Sequence, residues 1–175
     1  DFSLMSADVM GAVYERFLAH KLFQDGGRIV IEDTDELRKK EGIYYTPKYI
    51  VDYIVSHTLG EKIKPILAEA KALLGCKNFK GASAKIRELS QLKVLDPAMG
   101  SGSFLLVAFD TLVAAYDDYN AECRRIKKER NGQGGSLFDA DFVIAEEMLD
   151  APLRVLTENI FGVDLDKQAV EVAKL

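Results

Sequence analysis

One string limits what this chain can fold into more than any other: Asp96-Pro-Ala-Met-Gly-Ser-Gly-Ser-Phe104. Before it runs a short apolar segment ending in an acid, Leu92-Lys-Val-Leu-Asp96. After it come Leu105, Phe109, Leu112, Val113 and Tyr116 at helical spacing. The order reads as buried strand, tight loop, long helix. Open α/β sheets hold ligands at the carboxyl ends of their strands, which is where this loop falls.

The loop chemistry narrows the ligand. Gly100 and Gly102 carry no side chain, so a ligand can approach the backbone closely. The helix behind them begins with N–H groups that lack helical partners and favour an anion such as a carboxylate. Asp96 adds a fixed negative charge beside them. A molecule carrying both a carboxylate and an ammonium, such as the methionine part of S-adenosylmethionine, matches that pairing.

Other Gly-rich loops fit less well. A nucleotide phosphate loop needs GxxxxGK[ST], and no Lys follows Gly102. A dinucleotide fingerprint needs a third Gly or Ala where this chain has Leu105, and an acid about 20 residues on, well short of Asp164. A βα turn without a ligand is the plain structural alternative.

Ile160-Phe-Gly-Val-Asp164 reads as a second buried strand, and Gly162-Val-Asp-Leu-Asp166 carries its acidic end. Asp164 there can accept two hydrogen bonds from a ribose diol, and Leu165 can lie on an adenine face. Asp166 suits the cap of a helix that follows. The alternative for Asp164 is a helix cap or surface acid. A third string, Gly42-Ile-Tyr-Tyr-Thr-Pro47, is by itself a turn into a helix, with Thr46 as cap and Pro47 in its first turn. Tyr44 and Tyr45 could equally be core aromatics.

The remaining sequence supplies scaffolding. A helix is expected over residues 6–23, a turn at 24–27 and a small strand or hairpin arm at 28–32. Residues 33–40 are polar. Ile50, Val51, Ile54 and Val55 give the helix after Pro47 one apolar face. Two further helices are expected at 60–75 and 82–91, a flexible loop at 131–136, helices at 139–149 and 152–158, and a last helix from Asp166. The fold class is therefore α/β: the opening of a parallel, doubly wound sheet after an α-helical segment. The expected organisation is a helical segment and linker at 1–40 and a ligand-binding part at 41–175.

Charge and cysteine content exclude some classes. The net charge of -5 gives no support to phosphate gripping by the chain as a whole. Cys76 and Cys123 have no partner at metal-ligand spacing, so no metal site is expected and both read as reduced thiols. No apolar run reaches the roughly 18 residues of a membrane span, and no signal peptide is visible, so a cytoplasmic protein is expected. The chain starts at Asp1 rather than Met and stops within an amphipathic helix, so it is expected to be part of a longer protein.

Together, GIYYTP, DPAMGSGSF and NIFGVDLDKQAVEVAKL resemble the DNA adenine (N6) methyltransferases of restriction–modification systems. The likeness is to the gamma-class order, as in bifunctional type II enzymes and type I modification subunits. Val13-Tyr-Glu-Arg-Phe-Leu18 resembles the helix ahead of that core. The resemblance implies a partial, truncated Rossmann-like S-adenosylmethionine-dependent fold. It implies that Tyr44, Tyr45 and Thr46 line the cofactor pocket, that Asp96, Pro97, Ala98, Gly100 and Gly102 surround the methionine part, and that Asp164 and Leu165 take ribose and adenine. The family's catalytic Asn/Asp/Ser-Pro-Pro-aromatic motif is absent from these residues, so no catalytic residue is assigned and the chain alone is not expected to methylate DNA. Double-stranded DNA would be contacted through other parts of the parent protein, and an open sheet edge could pair two copies. Two alternatives stand beside this reading: a non-catalytic module that kept the fold, and a methyltransferase for another substrate.

Overall fold

A computed structural model of the chain describes Val13 and residues 20–33, 46–132 and 145–174. The first elements are β1 (His20–Asp25) and β2 (Arg28–Asp33), an antiparallel hairpin in register from His20 opposite Asp33 to Asp25 opposite Arg28. A Gly26-Gly27 turn closes it, the dipeptide type that two-residue hairpins favour. The strand or hairpin arm expected at 28–32 is therefore present. The helix expected over 6–23 lies mostly outside the described residues, and from His20 the chain is strand instead. His20, Leu22 and Phe23 pair in register with β2; the helical spacing belongs to Val9, Val13, Phe17 and Leu18, ahead of this strand.

Four helical pieces follow: α1 (Lys48–His57), α2 (Leu59–Gly75), α3 (Phe79–Ile86) and a 3-10 turn (Arg87–Gln91). The Pro47 carbonyl accepts from the amides of Ile50 and Val51, so Pro47 stands just ahead of α1. Asn78 caps α3 by accepting the Gly81 amide at 3.0 Å. The chain then enters β3 (Val94–Asp96), turns through the glycine loop and continues as α4 (Ser103–Gly132). The last elements are α5 (Ala151–Glu158), β4 (Ile160–Gly162) and α6 (Lys167–Ala173). β3 and β4 pair in parallel: Val94 donates to the Asn159 carbonyl, and Val163 donates to Asp96. Most described residues are helical, with this small parallel pair among them, a pattern compatible with an α/β protein.

The chain divides into two units. One comprises residues up to Asp52, Leu95–Leu106 and Gly162–Leu175, and the other Tyr53–Val94 and Val107–Phe161. The second is a helical layer around Leu74, Ile86, Leu89, Leu112, Tyr116 and Val155, all buried. Burial of each large side chain of this kind contributes about 1.5–3 kcal/mol. Of the residues expected on the inner face of α4, Leu105, Leu112 and Tyr116 are buried, and Phe109 and Val113 are half-buried.

The segments of β3 and β4, expected as buried strands, instead leave Leu95, Phe161 and Val163 exposed. Two other local expectations differ. Asn131 and Gly132 belong to α4; the rest of the loop expected at 131–136, and residues 139–144 of the next expected helix, lie outside the described residues. Residues 145–148, placed in a helix from the sequence, run without regular structure into a turn at 149–150. The buried Asn120 side chain explains the second. It accepts the Met148 amide at 2.8 Å and donates to the Met148 carbonyl at 3.0 Å, taking backbone groups that a helix would need. Glu147 adds ion pairs to Arg124 and Lys127 on α4.

Among the described residues no helix is long and apolar enough to cross a membrane. No group of three or more His, Cys, Asp or Glu there is arranged to hold a metal ion.

Candidate cofactor-binding site

The site is built from two strand ends and the loop between β3 and α4. Asp96 is the last residue of β3, and Asp164 stands two residues past the end of β4. Parallel pairing sets these ends side by side, and the bond from Val163 to the Asp96 carbonyl, 2.9 Å, extends the ladder past β4. Met99 in the loop donates back to the Val163 carbonyl at 3.0 Å. The loop is thus stitched to the segment carrying Asp164.

The loop has a defined shape. Gly100 has φ +53 and Gly102 φ +87, conformations that side chains with a Cβ rarely adopt. A Cβ on Gly102 would also lie 3.3 Å from the Ala173 side chain on α6. Its amide closes the turn by donating to Met99 at 2.8 Å.

Most of the loop amides point inward. Ala98 donates to Asp96 Oδ1 at 3.1 Å, and Gly100 donates to Asp164 Oδ2 at 2.8 Å. Asp164 Oδ1 accepts the Asp166 amide, also at 2.8 Å. Asp164 therefore spends one lone pair of each oxygen on backbone and has acceptor capacity beyond these two bonds. A ligand anion would look to the first turn of α4, whose N–H groups have no helical acceptor and sit at the positive end of the helix dipole.

The residues singled out from the sequence fall as follows. Asp96, Pro97, Ala98, Gly100, Gly102, Asp164 and Leu165 lie together in the first unit. Asp96 and Asp164 are half-buried, and Pro97 and Ala98 are exposed. Leu165 is fully exposed, so its side chain contributes nothing to folding and is available to an apolar ring. Thr46 is half-buried ahead of α1. Tyr44 and Tyr45 lie outside the described residues. Asp166 caps α6 by accepting the Gln168 amide at 2.9 Å, as its sequence position indicated.

Two residues with a structural part in their own units carried no expectation. Asn159, fully buried, donates from Nδ2 to the carbonyls of Leu89 and Leu92, both at 2.7 Å, while its own carbonyl accepts from Val94 on β3. Gly162 is the other: a Cβ there would stand 2.1 Å from the Met99 sulfur and 2.7 Å from a Leu105 methyl. A lone Asn before a strand has no distinctive spacing. Gly162 could have been noticed as the small residue in an otherwise bulky strand.

A family model described as "MmeI, DNA-methyltransferase domain" matches residues 76–175, which include the loop and both strand ends. The chain belongs to this family. Among its relatives is a putative type II restriction enzyme and methyltransferase, RM.MjaORFECS2P, of Methanocaldococcus jannaschii, 29% identical over 98% of this chain and 14% of the relative. The type II restriction enzyme and methyltransferase RM.Eco57I of Escherichia coli is 26% identical over 97% of this chain and 14% of the relative. The adenine-specific methyltransferase BrxX of Escherichia coli O9:H4 (strain HS) is 25% identical over 95% of this chain and 13% of the relative. The chain thus spans a small part of the length of each relative. Membership of the MmeI-type methyltransferase family agrees with the restriction–modification resemblance read from the three sequence strings.

Proposed function

We propose that this chain is the S-adenosylmethionine-binding part of a DNA adenine methyltransferase of a restriction–modification system, with a Rossmann-like sheet of which β3 and β4 are members. The observation that carries the reading is the convergence of Asp96, the glycine loop and Asp164 at two parallel strand ends. Family membership and the adenine-specific relative support it.

The residues suit the cofactor chemically. The remaining acceptor sites of Asp164 match a ribose diol, and the bare Leu165 side chain offers an apolar surface to a purine. The second oxygen of Asp96 suits an ammonium, and the α4 start suits a carboxylate. Thr46, with Tyr44 and Tyr45, would border the same pocket. The cofactor supplies a methyl group on a sulfonium. This chain's residues hold and orient it, and such positioning accounts for much of the rate in two-reactant transfers.

None of the four prolines is followed by another, so no Pro-Pro-aromatic string stands among these residues. In this reading the groups that receive the flipped-out adenine, and those that grip the DNA, come from elsewhere in the protein. The net negative charge of the chain accords with that division.

Equilibrium binding of labelled S-adenosylmethionine to the protein, beside ATP and NAD, tests the reading. Saturable binding of S-adenosylmethionine with ATP and NAD as poor competitors is expected. Tight binding of ATP or NAD without S-adenosylmethionine binding would refute it.

A further inference from the structure

We propose that Asp164 is a positioning residue for the glycine loop: by accepting the Gly100 amide it holds the loop in the shape that receives the methionine end of the cofactor. The clamp itself rests on geometry alone, while its consequence for ligands rests on the cofactor reading above.

Three observations support the clamp. The bond from Gly100 to Asp164 Oδ2 is 2.8 Å and joins two segments far apart in sequence. The other oxygen is fixed by the Asp166 amide at 2.8 Å, so the carboxylate cannot swing away without losing both bonds. Gly100 sits in the left-handed region, φ +53, where the direction of its N–H is set by a conformation that other loop residues rarely adopt. The backbone bonds of Met99 and Val163 register the loop against β4. Asp164 then holds the turn of the loop one residue further on. A carboxylate accepting a backbone N–H forms one of the stronger hydrogen bonds available, so this contact can hold a glycine that would otherwise explore many conformations. The half-buried carboxylate also brings negative charge to the Gly100 amide, which disfavours a phosphate there.

The clamp separates from a ribose contact by experiment on the whole chain. Amide hydrogen exchange is measured in the wild type, Asp164→Ala and Asp164→Asn, without ligand. The amide of Gly100 is expected to exchange about tenfold faster in Asp164→Ala, while Met99 and Val163, held by backbone acceptors, stay protected and the melting temperature changes little. Asp164→Asn keeps the shape but replaces one oxygen by an NH2 group, so at least one of the Gly100 and Asp166 amides is expected to accelerate. It decides the matter if the alanine variant opens the strand pair as well. Unchanged Gly100 and Asp166 exchange in the Asn variant would overturn the clamp.

Ligand binding supplies the second arm, with S-adenosylhomocysteine and its 2′,3′-dideoxy form as probes. Asp164→Ala is expected to weaken the dideoxy form by about tenfold, through the loop alone, and S-adenosylhomocysteine by more, because it loses the ribose contact as well. Weakening of S-adenosylhomocysteine with the dideoxy form unaffected would leave Asp164 a ribose residue only and overturn the proposal. If neither probe binds the wild type, the cofactor reading fails, and the exchange measurement still decides the clamp.

Discussion

Gly162 faces Met99 so closely that any Cβ on β4 at this point would fall 2.1 Å from the methionine sulfur. The glycine therefore lets the loop lie against the strand. Gly162→Ala is expected to push the Met99 and Leu105 side chains aside and to cost about 1 kcal/mol, the low end for overpacking because both side chains are flexible. Chemical denaturation of the variant measures it. Cofactor affinity should fall with it, since Met99 belongs to the loop. A variant as stable as the wild type would mean that Met99 relocates freely.

Asn159 organises the entry to β3. Its two bonds to Leu89 and Leu92 are buried, so Asn159→Leu leaves two carbonyls without a donor. A loss of about 2–4 kcal/mol is expected, read by urea unfolding. Asn159→Asp should be worse at neutral pH, because a buried carboxylate would face two carbonyl oxygens. Recovery of Asn159→Asp on acidification to pH 4 would support this account.

Burial sets an alkaline limit on the helical unit. It is the main cause that pushes the Tyr119 phenol up to about 12, with a Ser83 contact working in the opposite direction and Cys123 and Glu146 adding to the rise. Burial likewise raises the Tyr116 phenol and the Cys123 thiol. An unfolded tyrosine ionises near pH 10. The contribution of Tyr119 is therefore complete below about pH 10 and is lost as pH rises toward 12. Melting temperatures measured from pH 8 upward should fall above pH 10, and the fall should be shallower in Tyr119→Phe. Equal slopes would assign the alkaline loss to other groups.

The role proposed for Leu165 lets folding and binding be tested separately. Its side chain is fully exposed, so Leu165→Ala should leave the melting temperature within about a degree. Losing an apolar surface against a purine should weaken cofactor binding by about five- to tenfold. Unchanged affinity, measured by calorimetry, would place the purine elsewhere.

Much of the geometry around residues 96–104 and 164–166 could be read from the sequence because it depends on neighbouring residues. Asp96-Pro-Ala-Met-Gly-Ser-Gly puts the loop, its glycines and one acid into seven consecutive residues, and the helical spacing from Leu105 to Tyr116 marks the next element. Asp166 as a cap followed from its position alone. What escaped depends on long-range partners. Asn120 straightens residues 145–148 from 28 positions away, which no helical periodicity can register. The hairpin from His20 depends on bonds to β2, which the spacing of Val9, Val13, Phe17 and Leu18 ahead of it does not report. The engagement of the Gly100 amide by Asp164 was equally hidden, because it needs both strand ends in place.

Titration of the isotopically labelled protein with S-adenosylmethionine, followed by amide chemical shifts, tests the central claim most directly. Shifts concentrated at residues 96–105 and 164–166 are the expected result. A saturating response that leaves Gly100, Gly102 and Leu165 unmoved, and appears instead around Leu74 or Tyr116, would contradict it.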